Sequence, residues 1–251
     1  MTASLFPQDP LTEEDEAAPA GVPLEEQAYR SLRQALVEGV FAPGEKLSIR
    51  RIASSLGTSP MPARTALRRL AAEQAVDVLP SGTAIVPRLT RQSFRELGEI
   101  RASLEPLAVR LAAPQIASEA LDRLEWLLTE HEEARAGGRA DDLLRLDREF
   151  LFTVYRQAGS PMLLGLIEVP WLRRGPLFWE ARWALMARPQ ETGHRHPAIL
   201  AALRAADGLR AARELEEEIR DATSFLLKEM RFADDAATPG LPALGKARAA
   251  K

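Results

Sequence analysis

Residues 49–74 constrain this chain more than any other stretch, because two short helical segments meet there at a sharp chain-reversing break. Ile49, Ile52, Ala53 and Leu56 recur at helical spacing, and Ser48 stands where a helix N-cap belongs. Gly57 is placed to stop that helix, since glycine takes the left-handed conformation common at helix ends. Ser59 is the next N-cap candidate, with Pro60 and Pro62 inside the first turn, where a missing N–H does no harm. Ala63, Ala66, Leu67 and Leu70 then give a helix over about 60–74 its inward face. Upstream, Leu24, Ala28, Leu32, Ala35 and Leu36 mark a helix over 24–39, closed by Gly39 and Pro43-Gly44. Downstream, extended runs at 76–79 and 84–88 flank the hairpin signal Pro80-Ser81-Gly82-Thr83. The pattern reads as a helix-turn-helix with a wing, or equally as a small helical hairpin packed inside a larger protein.

Beyond residue 90 no strand alternation occurs. Thr90 can cap a helix running into 112, with a kink expected at Pro106, and further helices fit 119–136, 141–158, 161–186, 196–206 and 208–232. The expected fold is therefore mainly α: a winged helix-turn-helix over 24–89 and an all-helical bundle over 90–232. An acidic, Pro- and Ala-rich arm (1–23) and a tail (233–251) are expected to be disordered.

Composition removes several function classes. The absence of cysteine excludes disulfides, thiolate metal sites and a cysteine nucleophile. No apolar run approaches the ~20 residues that span a bilayer, and the N-terminus lacks a signal-peptide pattern, so a cytoplasmic protein with no membrane partner is expected. The net charge of −3 hides an uneven distribution. Residues 1–23 hold five acids and no base, whereas 24–89 hold nine bases and six acids, a net of +3. Five arginines (Arg50, Arg51, Arg64, Arg68, Arg69) and no acid lie within 50–69, which is either a DNA-facing surface or a merely solvated one.

In a helix-turn-helix the second helix enters the major groove N-terminus first, so that end needs short donors, small residues and an arginine. Ser59, Met61 and Arg64 occupy it here. Arg64 can grip guanine or a phosphate, Arg50 begins the preceding helix on the backbone-facing side, and Gly82 lets the wing approach closely.

Residues 24–89 resemble the winged-helix domain of the GntR family of bacterial regulators. The resemblance rests on Ala42-Pro43-Gly44-Glu45-Lys46-Leu47, on Ser59 through Leu70 (SPMPARTALRRL), and on the wing Ser81-Gly82-Thr83-Ala84-Ile85-Val86. It implies that Arg50, Ser59, Arg64 and Gly82 touch DNA. The chain departs from the family at Thr65, usually glutamate, at Gln74-Ala75, usually Gly-Leu or Gly-Trp, and at Pro60, arginine in some members. Residues 90–232 resemble the FadR-type (FCD) effector domain through 97–113, Asp147-Arg148-Glu149-Phe150, Ala158-Gly159-Ser160 and His196 through Asp207.

Many FCD relatives hold a divalent metal with one aspartate and three histidines, and small organic acids bind beside it. The resemblance aligns Asp147, His196 and Glu218 with three of those positions and Leu151, which cannot ligate, with the fourth. Zn, Mn or Mg held by Asp147, His196 and Glu218 is one expectation, and a metal-free pocket the other. Arg101 is expected to point into the cavity toward a ligand carboxylate, or else to form a surface salt bridge with Glu105. His194 is expected on the surface facing away from His196, and His131 shows no partner spacing. Trp126, Trp171, Trp179 and Trp183 are expected in the core or a dimer contact more readily than in a ligand pocket.

The implied function is a homodimeric repressor of operator DNA, released by an organic acid in the helical domain. A metal-dependent hydrolase would need a general base that the sequence does not display. A sensor working only through protein contacts would be indifferent to Arg64→Ala.

Overall fold

The computed structural model describes residues 22–187 and 194–235. The expectations for the arm, other than Val22 and Pro23, and for the tail after 235 lie outside the described residues. The head contains α1 (Leu24–Val37), β1 (Lys46–Leu47), α2 (Ile49–Ser55), α3 (Pro60–Ala72), β2 (Asp77–Val78) and β3 (Ala84–Ile85). The helical half contains α4 (Arg91–Ala112), α5 (Ser118–Ala136), α6 (Ala140–Arg156), α7 (Pro161–Ala187), α8 (His196–Arg204) and α9 (Gly208–Glu229).

Every helix expected from periodicity is present, with ends shifted by a few residues. The strands are shorter than expected, and β1 was not foreseen at all. It pairs antiparallel with β3 (Lys46 opposite Ile85, Leu47 opposite Ala84), giving the sheet order β1-β3-β2. Two residues are too few to show alternation, so only the tertiary pairing defines this strand. The wing closes where Leu79 N–H donates to Thr83 O at 2.9 Å and Gly82, at φ +79°, donates to Leu79 O at 2.8 Å.

Caps explain where the helices start. Ser48 Oγ accepts from Arg51 N at 3.4 Å, and Thr90 Oγ1 from Ser93 N at 3.0 Å. Ser59 occupies the N-cap position of α3, but contrary to expectation its hydroxyl makes no capping bond. Pro62 is the third residue of that helix, so one of the two N–H groups a cap would normally engage does not exist. Gly57, at φ +60°, turns the chain between α2 and α3. Helix α4 runs through Pro106 as one continuous helix.

The head core joins Leu32, Leu36, Phe41, Ile52, Leu70 and their neighbours, all buried. A larger cluster lies inside the helical half, and a third forms around Phe94, Leu97, Leu226 and Phe232. Helix α7 enters all three: Trp171 packs in the large core, Leu172 in the head core, and Leu177 in the third cluster. The head sits directly on this helix. A Cβ on Gly175 would fall 2.0 Å from Leu36 O, so only glycine permits α1 to approach this closely. Arg33 pairs with Glu168 at 2.9 Å and Arg148 with Glu38 at 3.1 Å across the same junction.

The tail does not begin at 233 as expected. Ala233 N–H donates to Leu89 O at 2.9 Å, and Asp235 holds Arg91 at 2.5 and 2.8 Å. Residues 233–235 are thus fastened to the start of α4 by an ion pair between two segments far apart in sequence.

Candidate functional site

The structure divides the arginine cluster of the head. Arg69 lies 3.5 Å over the ring of Tyr29 and bonds Glu26 at 2.6 Å, while Arg51 bonds Glu45 at 2.8 Å. These two hold the head together. Arg50, Arg64 and Arg68 are exposed and form no ion pair among the described residues. Ser59, Met61 and Gly82 are exposed as well, Met61 by 62%. The free hydroxyl, the thioether and the unpaired guanidinium therefore crowd one end of α3, where a helix also directs its unbonded N–H groups. Arg68 follows Arg64 by one turn on the same face, and its freedom was invisible in sequence because Arg68 and Arg69 differ there only by position.

A partly open cavity lies in the helical half, lined in part by Arg101, Asp147, Leu151, Arg174, His194 and Glu218. His196 is fully buried, its ring stacked on Phe150 at 4.2 Å. Its Nε2 lies 3.2 Å from Glu218 Oε1 and 3.5 Å from Asp147 Oδ1, yet in hydrogen-bond geometry with neither. Burial opposes protonation of His196, but the charges of Glu218 and Asp147 outweigh it and raise its pKa. Glu218 is itself oriented by Arg195, whose backbone N–H donates to Oε2 at 2.9 Å. Asp147, His196 and Glu218 therefore do converge.

His194 corrects an expectation. It is half-buried and belongs to the cluster: the donor atoms of His194, His196 and Glu218 lie within 4.8 Å of one another. The expectation assumed helical spacing between residues 194 and 196, but α8 begins only at His196, and the incoming chain carries both rings to the same side. His131 is corrected too. It is buried and stacks on His194 with ring centres 4.2 Å apart, a contact made by packing α5 against the segment before α8. Burial pushes the His131 imidazole down to about 4 and also lowers His194.

Arg101 and Glu105 do form a salt bridge, but a buried one. Nε and Nη2 of Arg101 donate to the two carboxylate oxygens at 2.6 and 3.0 Å. Tyr155 Oη and Trp171 Nε1 donate to the same carboxylate at 2.6 and 2.7 Å, so Glu105 is completely enclosed. Trp171 is thus a core residue with a polar task. Trp126 and Trp183 are exposed, and the side chain of Trp179 lies outside the described residues.

Known proteins share both halves. Residues 24–86 match the profile of the bacterial regulatory proteins of the gntR family, and residues 96–221 match the FCD domain. The chain is 32% identical over 182 residues to the HTH-type transcriptional regulator McbR of Escherichia coli K12, covering 72% of this chain and 82% of that one. It is 28% identical over 198 residues to the HTH-type transcriptional repressor GlaR of the same organism, covering 76% and 90%. The solved structure of E. coli McbR/YncC superposes with a TM-score of 0.77 at 30% identity, over 83% of this chain and 99% of that one.

Proposed function

The chain belongs to the gntR family of bacterial regulatory proteins, with an FCD domain as its C-terminal half, and on that footing we propose that it is an operator-binding repressor released by a small organic acid. It is a transcription regulator and not an enzyme, as its relatives are regulators. The observation that carries the DNA reading is the end of α3, where Ser59, Met61 and Arg64 stand exposed and without partners among the described residues, with Arg68 one turn on and Arg50 exposed at the start of α2. Nothing in the head's own stability uses these side chains. In the reading proposed here, Arg64 reaches a base edge, Arg50 and Arg68 hold phosphates, and Gly82 brings the wing to the backbone. Two copies of the chain, as a homodimer in the cytoplasm, read a pseudo-palindrome. No helix among the described residues is long and apolar enough to cross a membrane.

The helical half offers a partly open cavity for the effector. A divalent metal fits part of it: two imidazoles and a carboxylate lie within 4.8 Å, and the buried Nε2 of His196 has no hydrogen bond among the described residues. This donor set suits Zn better than Mg or Mn, because imidazole is a borderline-soft ligand. His194, His196 and Glu218 would hold the ion, with Asp147 at its edge. When bound, the ion supplies positive charge to a cavity that otherwise holds two carboxylates beside it. Leu151, where relatives carry a ligand, is buried in the core and lines the cavity as an apolar wall.

The test is selection of binders from a random double-stranded DNA pool with the full-length protein. A recovered palindrome that Arg64→Ala binds about 5- to 150-fold more weakly is the expected result. Undiminished affinity of Arg64→Ala for the palindrome would overturn the assignment of α3 as the reading helix.

A further inference from the structure

Arg174 lies on α7 in the wall of the cavity and is 7% exposed. Its guanidinium contacts two rings, one turn before and one turn after it along α7, 3.9 Å from the centre of Trp171 and 4.0 Å from that of Phe178. Contact with ring faces leaves the N–H edge of a guanidinium available for hydrogen bonds. No carboxylate or carbonyl accepts from that edge among the described residues, although Glu105 is near, because Glu105 is already committed to Arg101, Tyr155 and Trp171. Burial and the charge of Arg101 push the Arg174 pKa down to about 9, the direction expected for a cation withdrawn from water without a counterion. A buried, unpartnered guanidinium is costly to keep, so its presence points to a ligand that completes it.

We propose that Arg174 is the anion-recognition residue of the effector cavity, gripping the carboxylate of a small monocarboxylic acid whose apolar body lies toward Phe94, Leu151 and Leu226. A carboxylate matches the planar two-pronged edge of a guanidinium. In the metal-free protein a single unpaired cation balances a single negative charge, and Asp147 and Glu218, which also line the cavity, disfavour a second. The cavity measures about 90 Å³, well below the roughly 300–1,000 Å³ typical of drug-sized ligands, which keeps the acid small. The proposal rests on the effector reading given above, and it adds a route by which binding reaches the head. Arg173, the neighbour of Arg174, contacts Gln74 at 3.5 Å, Leu172 belongs to the head core, and Gly175 seats α1. A ligand pulling on Arg174 therefore acts on the turn of α7 that carries the head.

The test is calorimetric titration of the full-length protein with propionate, butyrate and benzoate, each against its amide. At least one acid is expected to bind tenfold or more tightly than its amide. Arg174→Met should erase that preference and at the same time raise the Tm of the unliganded protein, because an uncompensated buried charge has been replaced by an apolar chain. A merely structural arginine would lower it. Equal binding of acids and amides, or an acid preference that survives Arg174→Met, overturns the proposal. Operator binding measured in parallel separates the two readings. Acids that bind through Arg174 without altering operator affinity leave the anion site standing and remove the effector role. Amides that release operator as well as acids do the reverse.

Discussion

In the head, Arg50, Arg64 and Arg68 stand exposed with no carboxylate partner among the described residues, whereas in the helical half Arg101 and Arg174 are withdrawn from water. The same side chain meets opposite physics in the two places. An exposed guanidinium costs little to present, so the head can hold several in readiness for phosphates with no compensating acid. A buried one must be matched, and Arg101 is matched through a carboxylate that also serves Tyr155 and Trp171. The head's charges are thus independent of one another, and the cavity's are interlocked.

Breaking the interlocked side should have the largest effect. Glu105→Ala leaves Arg101 without its counterion and two buried donors without an acceptor, and is expected to cost about 3–5 kcal/mol in urea unfolding. A cost below about 1 kcal/mol would mean the cavity charges are not coupled. Next comes the junction between the two regions. Gly175→Ala places a methyl 2.0 Å from Leu36 O, and backbone must move to admit it. Thermal unfolding should show a loss of about 1–3 kcal/mol, with operator affinity changed as the head is displaced.

On the independent side, Arg64→Ala should cost about 1–3 kcal/mol of operator binding while unfolding stability stays within about 0.5 kcal/mol. A comparable loss of stability would erase the contrast between the two regions. Within the cavity, His194→Ala is expected to weaken zinc binding by about tenfold or more in a chelator competition, and unchanged affinity would remove His194 from the donor set. The smallest effect concerns Gln74, which holds φ +57° where the resembling family usually has glycine. Gln74→Gly should stabilise the head by about 1 kcal/mol, measured as a rise in Tm.

The head was legible almost residue by residue. Ala63, Ala66, Leu67 and Leu70 were expected to face inward and are all buried, and Arg64 was expected to face out and does. Helical periodicity fixes these directions locally, without help from distant residues. Arg69 shows the limit of that reading. It shares a helix and a charge with Arg68, but Tyr29 and Glu26 on α1 claim it, and nothing near residue 69 in the sequence announces them. The cavity was legible only where a resemblance supplied positions. Asp147, His196 and Glu218 were named and do meet, while His131, His194, Arg174 and the burial of Glu105 were missed.

The sequence by itself determined the order and type of the helices, the turn at Gly57, the wing at Gly82 and the exposed end of α3. Each depends on interactions within a few residues, where propensity, capping and apolar spacing act. Tertiary structure alone decided which arginines are free and which are bound, and that β1 joins the sheet. It also decided that His194 stands with His196 and that α7 touches cavity and head at once. Those outcomes depend on distances between segments remote along the chain, and on burial, which turns an ordinary charge or ring into a demanding one only after the helices have packed.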